Sequence, residues 1–173
     1  MASKGYIHVY TGDGKGKTTA ALGLALRSAG HGMGVFIGQF MKGIRYGELD
    51  ALEKIPCIEV AQFGDEVCIR KEDVTDLHRS HGREGLAVIE RVMARGEHPV
   101  VIMDEICVTL WFGILSLDEV MAVIKAKPAG IELILTGRRA PQEIIDIADL
   151  VTEMKEIKHY YTQGVLARDG IER

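Results

Sequence analysis

The sequence is poor in cysteine, proline and aromatic residues and has no excess of positive charge. Its three cysteines, among 173 residues, are too few and too widely spaced for a disulfide framework or a four-ligand metal site. We therefore expect Cys57, Cys68 and Cys107 to be buried, reduced thiols. The formal net charge of −4 argues against partners that require a basic surface, namely nucleic acids and anionic membranes.

Long apolar runs are also missing. No segment approaches the roughly 18 consecutive apolar residues of a transmembrane helix, so no membrane span is predicted. The first five residues lack the apolar stretch of a secretion signal, and we expect a cytoplasmic protein. Without linkers, repeats or low-complexity segments, the chain is predicted to form one domain over residues 1–173.

Short apolar runs alternate with helical patterns along the chain. Runs of this kind form buried strands in parallel sheets. The predicted strands are Tyr6–Thr11, Gly34–Phe40, Ile58–Phe63, Val100–Asp104 and Ile131–Thr136, with a weaker candidate at Leu150–Met154. Because strand–helix alternation favours right-handed crossovers, we predict an α/β fold, a three-layer sandwich with a mainly parallel sheet.

Helical patterns fill the segments between these strands. They cover Thr18–Ala29, residues 73–95, a segment after a capping box at Ser116–Glu119, and a segment that starts at Pro141. Gly82 and Gly85 are candidates for breaks in the second helix, because glycine destabilises a helix interior.

The first predicted strand runs into a glycine-rich turn with the composition of a phosphate-binding loop. Phosphate is bound by converging backbone N–H groups, and glycine lets the chain turn tightly enough to direct them at the anion. The helix that begins near Lys17 adds free N–H groups and a positive dipole end. Lys17 supplies a charge, and the Thr18 hydroxyl suits a Mg²⁺ ion that bridges phosphate oxygens. The predicted nucleotide-binding residues of this loop are Gly12, Asp13, Gly14, Lys15, Gly16, Lys17, Thr18 and Thr19.

The spacing of this loop departs by one residue from the usual Gly-x₄-Gly-Lys-[Ser/Thr] pattern. The usual pattern places its first glycine at the position of Thr11, whereas the first glycine here is Gly12. The loop is therefore either one residue tighter than usual or begins with threonine. In both cases we expect the phosphates to lie differently from those in an ordinary ATPase.

Two carboxylates end the apolar strand Val100–Asp104. In phosphate-loop proteins such a strand directs an acid towards the Mg²⁺ ion that the loop hydroxyl holds. Asp104 and Glu105 are thus candidate metal residues together with Thr18. Spacing alone leaves open which of the two carboxylates contacts the metal.

Two further cations follow predicted strands. Lys42 and Arg138 each come just after a strand, and ligands of open α/β sheets bind at the carboxyl edge of the strands. Both side chains are candidates for neutralising a polyphosphate.

Other conspicuous side chains are interpreted as structural. His78 and His81 have no third metal ligand nearby in the sequence, so we expect a solvent-facing pair. Trp111 and Phe112 follow the acidic strand and could line a ligand cleft, but core packing is the favoured interpretation.

Taken in order, these motifs make the sequence resemble the phosphate-loop family of ATP:corrinoid (cob(I)alamin) adenosyltransferases. Matching segments span nearly the whole chain, and the most specific are the shortened glycine–lysine loop and the C-terminal tail, residues 158–172. The segments are Val9–Gly23, Gln39–Gly43 with Gly47–Glu48, Met103–Glu105, Leu135–Arg138, Ala148–Met154, Lys158–His159, Gly164–Arg168 and Gly170–Glu172.

The resemblance implies a P-loop NTPase (RecA-like) fold, with ATP, Mg²⁺ and a corrinoid, either cobalamin or a precursor. In the implied reaction, reduced cobalt(I) attacks the 5′ carbon of ATP and the whole triphosphate leaves. Lys17, Thr18 and Arg138 are the implied catalytic residues, because they would stabilise charge on the leaving group together with Lys15 and Lys42.

On the corrinoid side, the resemblance implies an apolar face near the metal. Val67, Ile69 or the Trp111–Phe112 pair are predicted to line it. The resemblance also implies a homodimer and a flavoprotein reductase that reduces the cobalt.

Two other functions remain open at the level of sequence. A RecA-like ATPase or kinase would act on the γ-phosphate, with Glu105 as a base that polarises water. A regulatory module would bind ATP without turnover.

Overall fold

The computed structural model describes residues 4–172 and contains a six-stranded sheet with helices on both faces. The strands are β1 (Ile7–Thr11), β2 (Val35–Phe40), β3 (Ile58–Phe63), β4 (Val100–Asp104), β5 (Glu132–Thr136) and β6 (Leu150–Glu153). The helices are α1 (Lys17–Gly30), α2 (Gly47–Leu52), α3 (Asp76–Arg95), α4 (Ile106–Phe112), α5 (Leu117–Lys125) and α6 (Gln142–Ile147). Two 3₁₀ turns lie at Lys71–Asp73 and Tyr160–Gln163.

All strand pairs are parallel, in the order β3-β2-β4-β5-β1-β6. Strand β5 separates β1, which precedes the glycine-rich turn, from β4, which carries the carboxylates. This is the arrangement of RecA-like P-loop proteins. The predicted α/β sandwich is confirmed, and all six strands form where the apolar runs indicated.

The two faces of the sheet pack against different helices. Val101 and Met103 of β4 point into a core with α3, α4, α5 and α6. Val100 and Ile102, the alternate residues of the same strand, pack with α1 and α2. A strand covered on both faces has no polar side, which explains why β4 is a continuous apolar run.

The candidate site residues lie at one edge of the sheet, where the parallel strands end. Because the strands are parallel, the residues that follow β1, β2, β4 and β5 emerge on the same side of the sheet. Within residues 4–172, the non-glycine residues with positive φ are Met41 (57°), Glu105 (62°) and Arg139 (58°), and each lies just beyond one of these strands. Such backbone conformations cluster at functional sites.

Two local predictions are wrong, and two short helices were not predicted. Helix α3 is unbroken, since Gly82 and Gly85 are buried where the helix packs against its neighbours. The thiols are not uniformly buried: Cys107 is, whereas Cys57 is half-buried and Cys68 is exposed. Helices α2 and α4 are additional to the predicted ones.

Among residues 4–172, no helix is both long and apolar enough to cross a bilayer.

Candidate active site

The glycine-rich turn is held in a form that only glycine adopts readily. Gly12 has φ 97° and Gly16 has φ 117°, both in the left-handed region. Gly14 donates its N–H to the Met154 carbonyl oxygen at 2.7 Å, and a Cβ atom on Gly14 would lie 2.6 Å from that oxygen. Strand β1 ends at Thr11, and Gly12 is the first residue of the turn.

Lys17, the first residue of α1, points back into this turn. Its ammonium donates to the Gly14 carbonyl oxygen at 2.6 Å, and the side chain is buried. Burial lowers the pKa of Lys17, because a desolvated ammonium is less stable. An anion held by the free N–H groups of α1 would lie beside this charge.

Asp104, at the end of β4, connects the start of α1 with the residues that end β5 and follow β2. Oδ1 accepts hydrogen bonds from Thr18 Oγ1 at 2.8 Å and Thr136 Oγ1 at 2.7 Å. Oδ2 accepts one from Lys42 Nζ at 2.7 Å. With 1% of its surface exposed, Asp104 is enclosed by these donors. Thr136 was missed by sequence reasoning, although a polar residue at the end of a buried strand is a usable signal.

Lys42 remains charged in this setting. Burial acts to lower the pKa of Lys42, but its attraction to Asp104 and the hydrogen bond between them outweigh burial and raise the pKa. The ion pair therefore keeps a positive charge next to the phosphate-binding turn.

Glu105 is half-buried and differs from Asp104 in its partners. Its backbone N–H donates to Thr136 Oγ1 at 2.9 Å. Within the described residues, its carboxylate accepts no hydrogen bond. Burial and the neighbouring Asp104 charge raise the pKa of Glu105.

Two cavities meet beside these residues. The phosphate-loop cavity, about 750 Å³, is lined by Gly14–Thr19 and by residues of the C-terminal tail. The apolar cavity, about 370 Å³, is lined by Val67, Ile69, Trp111 and Phe112 among others. Both cavities are bordered by Tyr46 and by the predicted residues Lys42, Glu105 and Arg138. Gly12, Asp13 and Asp104 do not line either cavity: Asp104 is buried, whereas Asp13 is exposed at the surface.

Trp111 and Phe112 serve two purposes. Phe112 packs against the core, as predicted. Trp111 instead makes a cation–π contact with Arg139, whose Cζ atom lies 4.3 Å from the centroid of the ring. Both border the apolar cavity.

Lys15 lines the phosphate-loop cavity, and its ammonium is hydrogen-bonded to residues of the C-terminal tail. It donates to the Ile171 carbonyl oxygen at 2.8 Å, to Glu172 Oε1 at 2.8 Å and to the Tyr160 hydroxyl at 3.4 Å. These tail residues are 145 to 157 positions away in the sequence, and no local pattern predicts their contact with the loop.

The prediction of a solvent-facing histidine pair is wrong. His78 Nε2 lies 2.9 Å from Asp65 Oδ2, and His81 Nδ1 lies 3.4 Å from Asp65 Oδ1. His78 also caps α3 by accepting the Thr75 N–H. Among residues 4–172, no cluster of three or more His, Cys, Asp or Glu side chains could hold a metal ion by itself.

Comparison with known proteins agrees with the resemblance seen in the motifs. The family model described as ATP:corrinoid adenosyltransferase BtuR/CobO/CobP matches residues 3–173. The corrinoid adenosyltransferase CobA of Salmonella typhimurium is 35% identical over 175 residues, which cover 98% of this chain and 86% of that protein. The corrinoid adenosyltransferase of Pseudomonas aeruginosa is 35% identical over 176 residues, covering 98% and 84%.

A longer relative is also similar. Uncharacterized protein all2391 of Nostoc sp. is 41% identical over 169 residues, and the match covers 90% of this chain but 45% of that protein. The chain thus spans less than half the length of that relative. On the family match and the near-complete coverage of the adenosyltransferases, the chain belongs to the ATP:corrinoid adenosyltransferase BtuR/CobO/CobP family, a family of transferases.

Proposed function

We propose that this protein transfers the 5′-deoxyadenosyl group of ATP to the cobalt of a reduced corrinoid. The observation that carries the proposal is the junction of the phosphate-loop cavity with the apolar cavity at Lys42, Glu105 and Arg138. A nucleotide in the first cavity and a corrinoid in the second would meet there. Cobalt(I) donates an electron pair to the 5′ carbon, and the bond from that carbon to the triphosphate oxygen breaks.

This reaction requires the protein to position the two substrates and to stabilise the negative charge that develops on the leaving triphosphate. The N–H groups at the start of α1, with Lys17, Lys42 and Arg138, would bind the triphosphate and stabilise the charge that grows on it. The cobalt is itself the nucleophile, so the reaction needs no nucleophilic side chain.

Mg²⁺ is the proposed metal, held by Thr18 and Glu105 with the triphosphate. Both side chains offer the oxygen ligands that Mg²⁺ prefers, and the Thr18 hydroxyl is oriented by its hydrogen bond to Asp104. Because both Asp104 oxygens already accept hydrogen bonds, Glu105 is the better direct ligand. When bound, the ion supplies positive charge to the triphosphate. Calorimetry of ATP binding with and without Mg²⁺ tests this metal assignment. ATP binding that does not depend on Mg²⁺ would contradict it.

The corrinoid would lie against Val67, Ile69 and Trp111 in the apolar cavity. Apolar surroundings favour a cobalt that has lost its lower axial ligand, and that loss makes reduction to cobalt(I) easier.

We further propose a cytoplasmic homodimer of one-domain subunits that receives electrons from a flavoprotein reductase. Edge strand β6 supports the dimer, because Leu150 and Val151 are each 41% exposed on it. Sedimentation of the purified protein tests the dimer, and a monomer at working concentrations would contradict it.

Product analysis tests the proposed reaction. The protein is incubated with MgATP and chemically reduced cobalamin, and the visible spectrum and phosphate products are followed. Adenosylcobalamin and tripolyphosphate are expected in equal amounts. Release of orthophosphate without adenosylcobalamin would instead identify a RecA-like ATPase, and ATP binding without any product would identify a regulatory module.

A further inference from the structure

A cluster of charged side chains fastens the C-terminal tail across the phosphate-binding loop. Glu172 lies at its centre: Oε1 accepts from Lys15 Nζ at 2.8 Å and Arg168 Nη2 at 3.2 Å, and it also contacts the Tyr160 hydroxyl. The other oxygen, Oε2, accepts the Arg168 backbone N–H at 2.9 Å. Hydrogen bonds from Arg168, Lys15 and Tyr160 hold the pKa of Glu172 well below its usual range.

All three hydrogen-bond donors of the Lys15 ammonium are occupied within this cluster. An ammonium has three N–H donors, and those of Lys15 go to Ile171, Glu172 and Tyr160. The hydrogen bond to Glu172 raises the pKa of Lys15, so the charge is kept. A phosphate ligand role for Lys15 in this position would require it to give up at least one of these three partners.

The fastened tail borders the nucleotide side of the site. The phosphate-loop cavity is lined by His159, Gly170, Ile171 and Glu172 of the tail together with Gly14–Thr19. Most of the tail is exposed and lies outside both hydrophobic cores, so few contacts other than this cluster hold it in place.

We propose that Lys15 and Glu172 are positioning residues: Lys15 anchors the C-terminal tail instead of binding phosphate, and the anchored tail forms the outer wall of the triphosphate site. This inference rests on the proposed function, since it assigns a wall to the proposed nucleotide cavity. It separates the two loop lysines, with Lys17 facing the nucleotide and Lys15 facing the tail.

Binding calorimetry with MgATP on Lys15→Ala, Glu172→Ala and the double variant tests the proposal. If Lys15 acts through the tail, each single variant weakens MgATP binding by about fivefold, as expected for one charge-assisted contact, and the double variant is no weaker than either. Lys15→Arg, which keeps a donor for Glu172, is expected to restore most of the affinity. Arg83→Ala, which removes a surface ion pair with Glu119 elsewhere, is the matched control and should bind as the parent does.

Three results would overturn the proposal. Affinity that is unchanged or higher in Glu172→Ala, with loss in Lys15→Ala, would make Lys15 a direct phosphate ligand. Additive losses in the double variant would show that the two residues act independently. Unchanged affinity in every variant would show that the tail forms no part of the site.

Limited trypsin digestion separates failure of this inference from failure of the proposed function. It reports cleavage at Arg168 and Lys158 without nucleotide or corrinoid, and both single variants should be cut faster than the parent protein. Equal cleavage rates would contradict the anchor itself. Absence of MgATP binding in the parent protein would contradict the proposed function instead.

Discussion

Helix α3 crosses the sheet at Gly85, where a Cβ atom would lie 2.6 Å from Phe40 Cε1 and 2.8 Å from Phe63 Cδ2. These rings belong to the buried core and cannot move aside without repacking. Gly85→Ala is therefore expected to lower the free energy of unfolding by about 1–3 kcal/mol, despite the better helix propensity of alanine. Chemical denaturation monitored by circular dichroism measures the change.

Gly23→Ala is the matched control. Gly23 is an exposed residue inside α1, with no atom within 4 Å of the position its Cβ would take. The same substitution should raise the free energy of unfolding there by about 0.5–1 kcal/mol, since only helix propensity changes. A loss of stability at both positions would contradict the packing argument for Gly85.

Single residues were predictable from sequence where their role is local. Gly12, Lys17 and Thr18 lie in the turn after β1 or in the first turn of α1, so composition and spacing sufficed to predict the backbone structure around them. The partners of Lys15 and Asp104 lie in distant segments of the chain. Side-chain chemistry alone does not specify which distant oxygen or ammonium group the fold brings into hydrogen-bonding distance.

At the scale of elements, the capping box of α5 gives a pH-dependent contribution to stability. Glu119 accepts the Ser116 N–H at 2.8 Å, the Arg83 Nε–H at 2.9 Å and the Ser116 hydroxyl at 2.7 Å. These donors, the Ser116 N–H first among them, lower the pKa of Glu119 to about 2. A carboxylate whose pKa is lower in the folded state than in the unfolded state stabilises the fold at pH values above its unfolded-state pKa. That stability is lost as the pH falls towards the folded-state pKa.

Glu119→Gln is expected to cost about 1 kcal/mol near neutral pH, a value kept small because the side chain is partly exposed. The difference from the parent should shrink as the pH falls from about 4.5 towards about 2 and then vanish. Urea denaturation at several pH values measures it, with Glu84→Gln on the exposed side of α3 as control. A difference independent of pH would contradict the charged capping interaction.

The elements that sequence reasoning missed are short and lie at the site. Helix α4 has seven residues and starts after Glu105 in a left-handed conformation, so no N-cap pattern precedes it. Helix α2 has six residues, too few to show a full apolar repeat. Strands and long helices were predictable because burial against the sheet imposes their pattern, whereas these short helices depend on the strand ends that they follow.

At the scale of the whole molecule, the two cavities predict separable functions. Replacing Trp111 or Val67 by alanine removes apolar surface from the apolar cavity without touching the phosphate-binding loop. We expect the KM for the reduced corrinoid to rise by about tenfold in Trp111→Ala, as loss of a large aromatic contact predicts, and less in Val67→Ala. Steady-state kinetics with cobalamin varied at saturating MgATP measures this.

Nucleotide binding by the same variants provides the complementary test of separate corrinoid and nucleotide regions. Binding of MgATP, measured by calorimetry, should be unchanged in Trp111→Ala and strongly reduced in Lys17→Ala, because Lys17 lies in the loop and Trp111 borders only the apolar cavity. Leu26→Ala, an exposed apolar residue of α1, should alter neither measurement. Equal loss of corrinoid and nucleotide affinity in Trp111→Ala would mean that the ring supports the fold as a whole, and that the division of the strand-end cleft into two binding regions is mistaken.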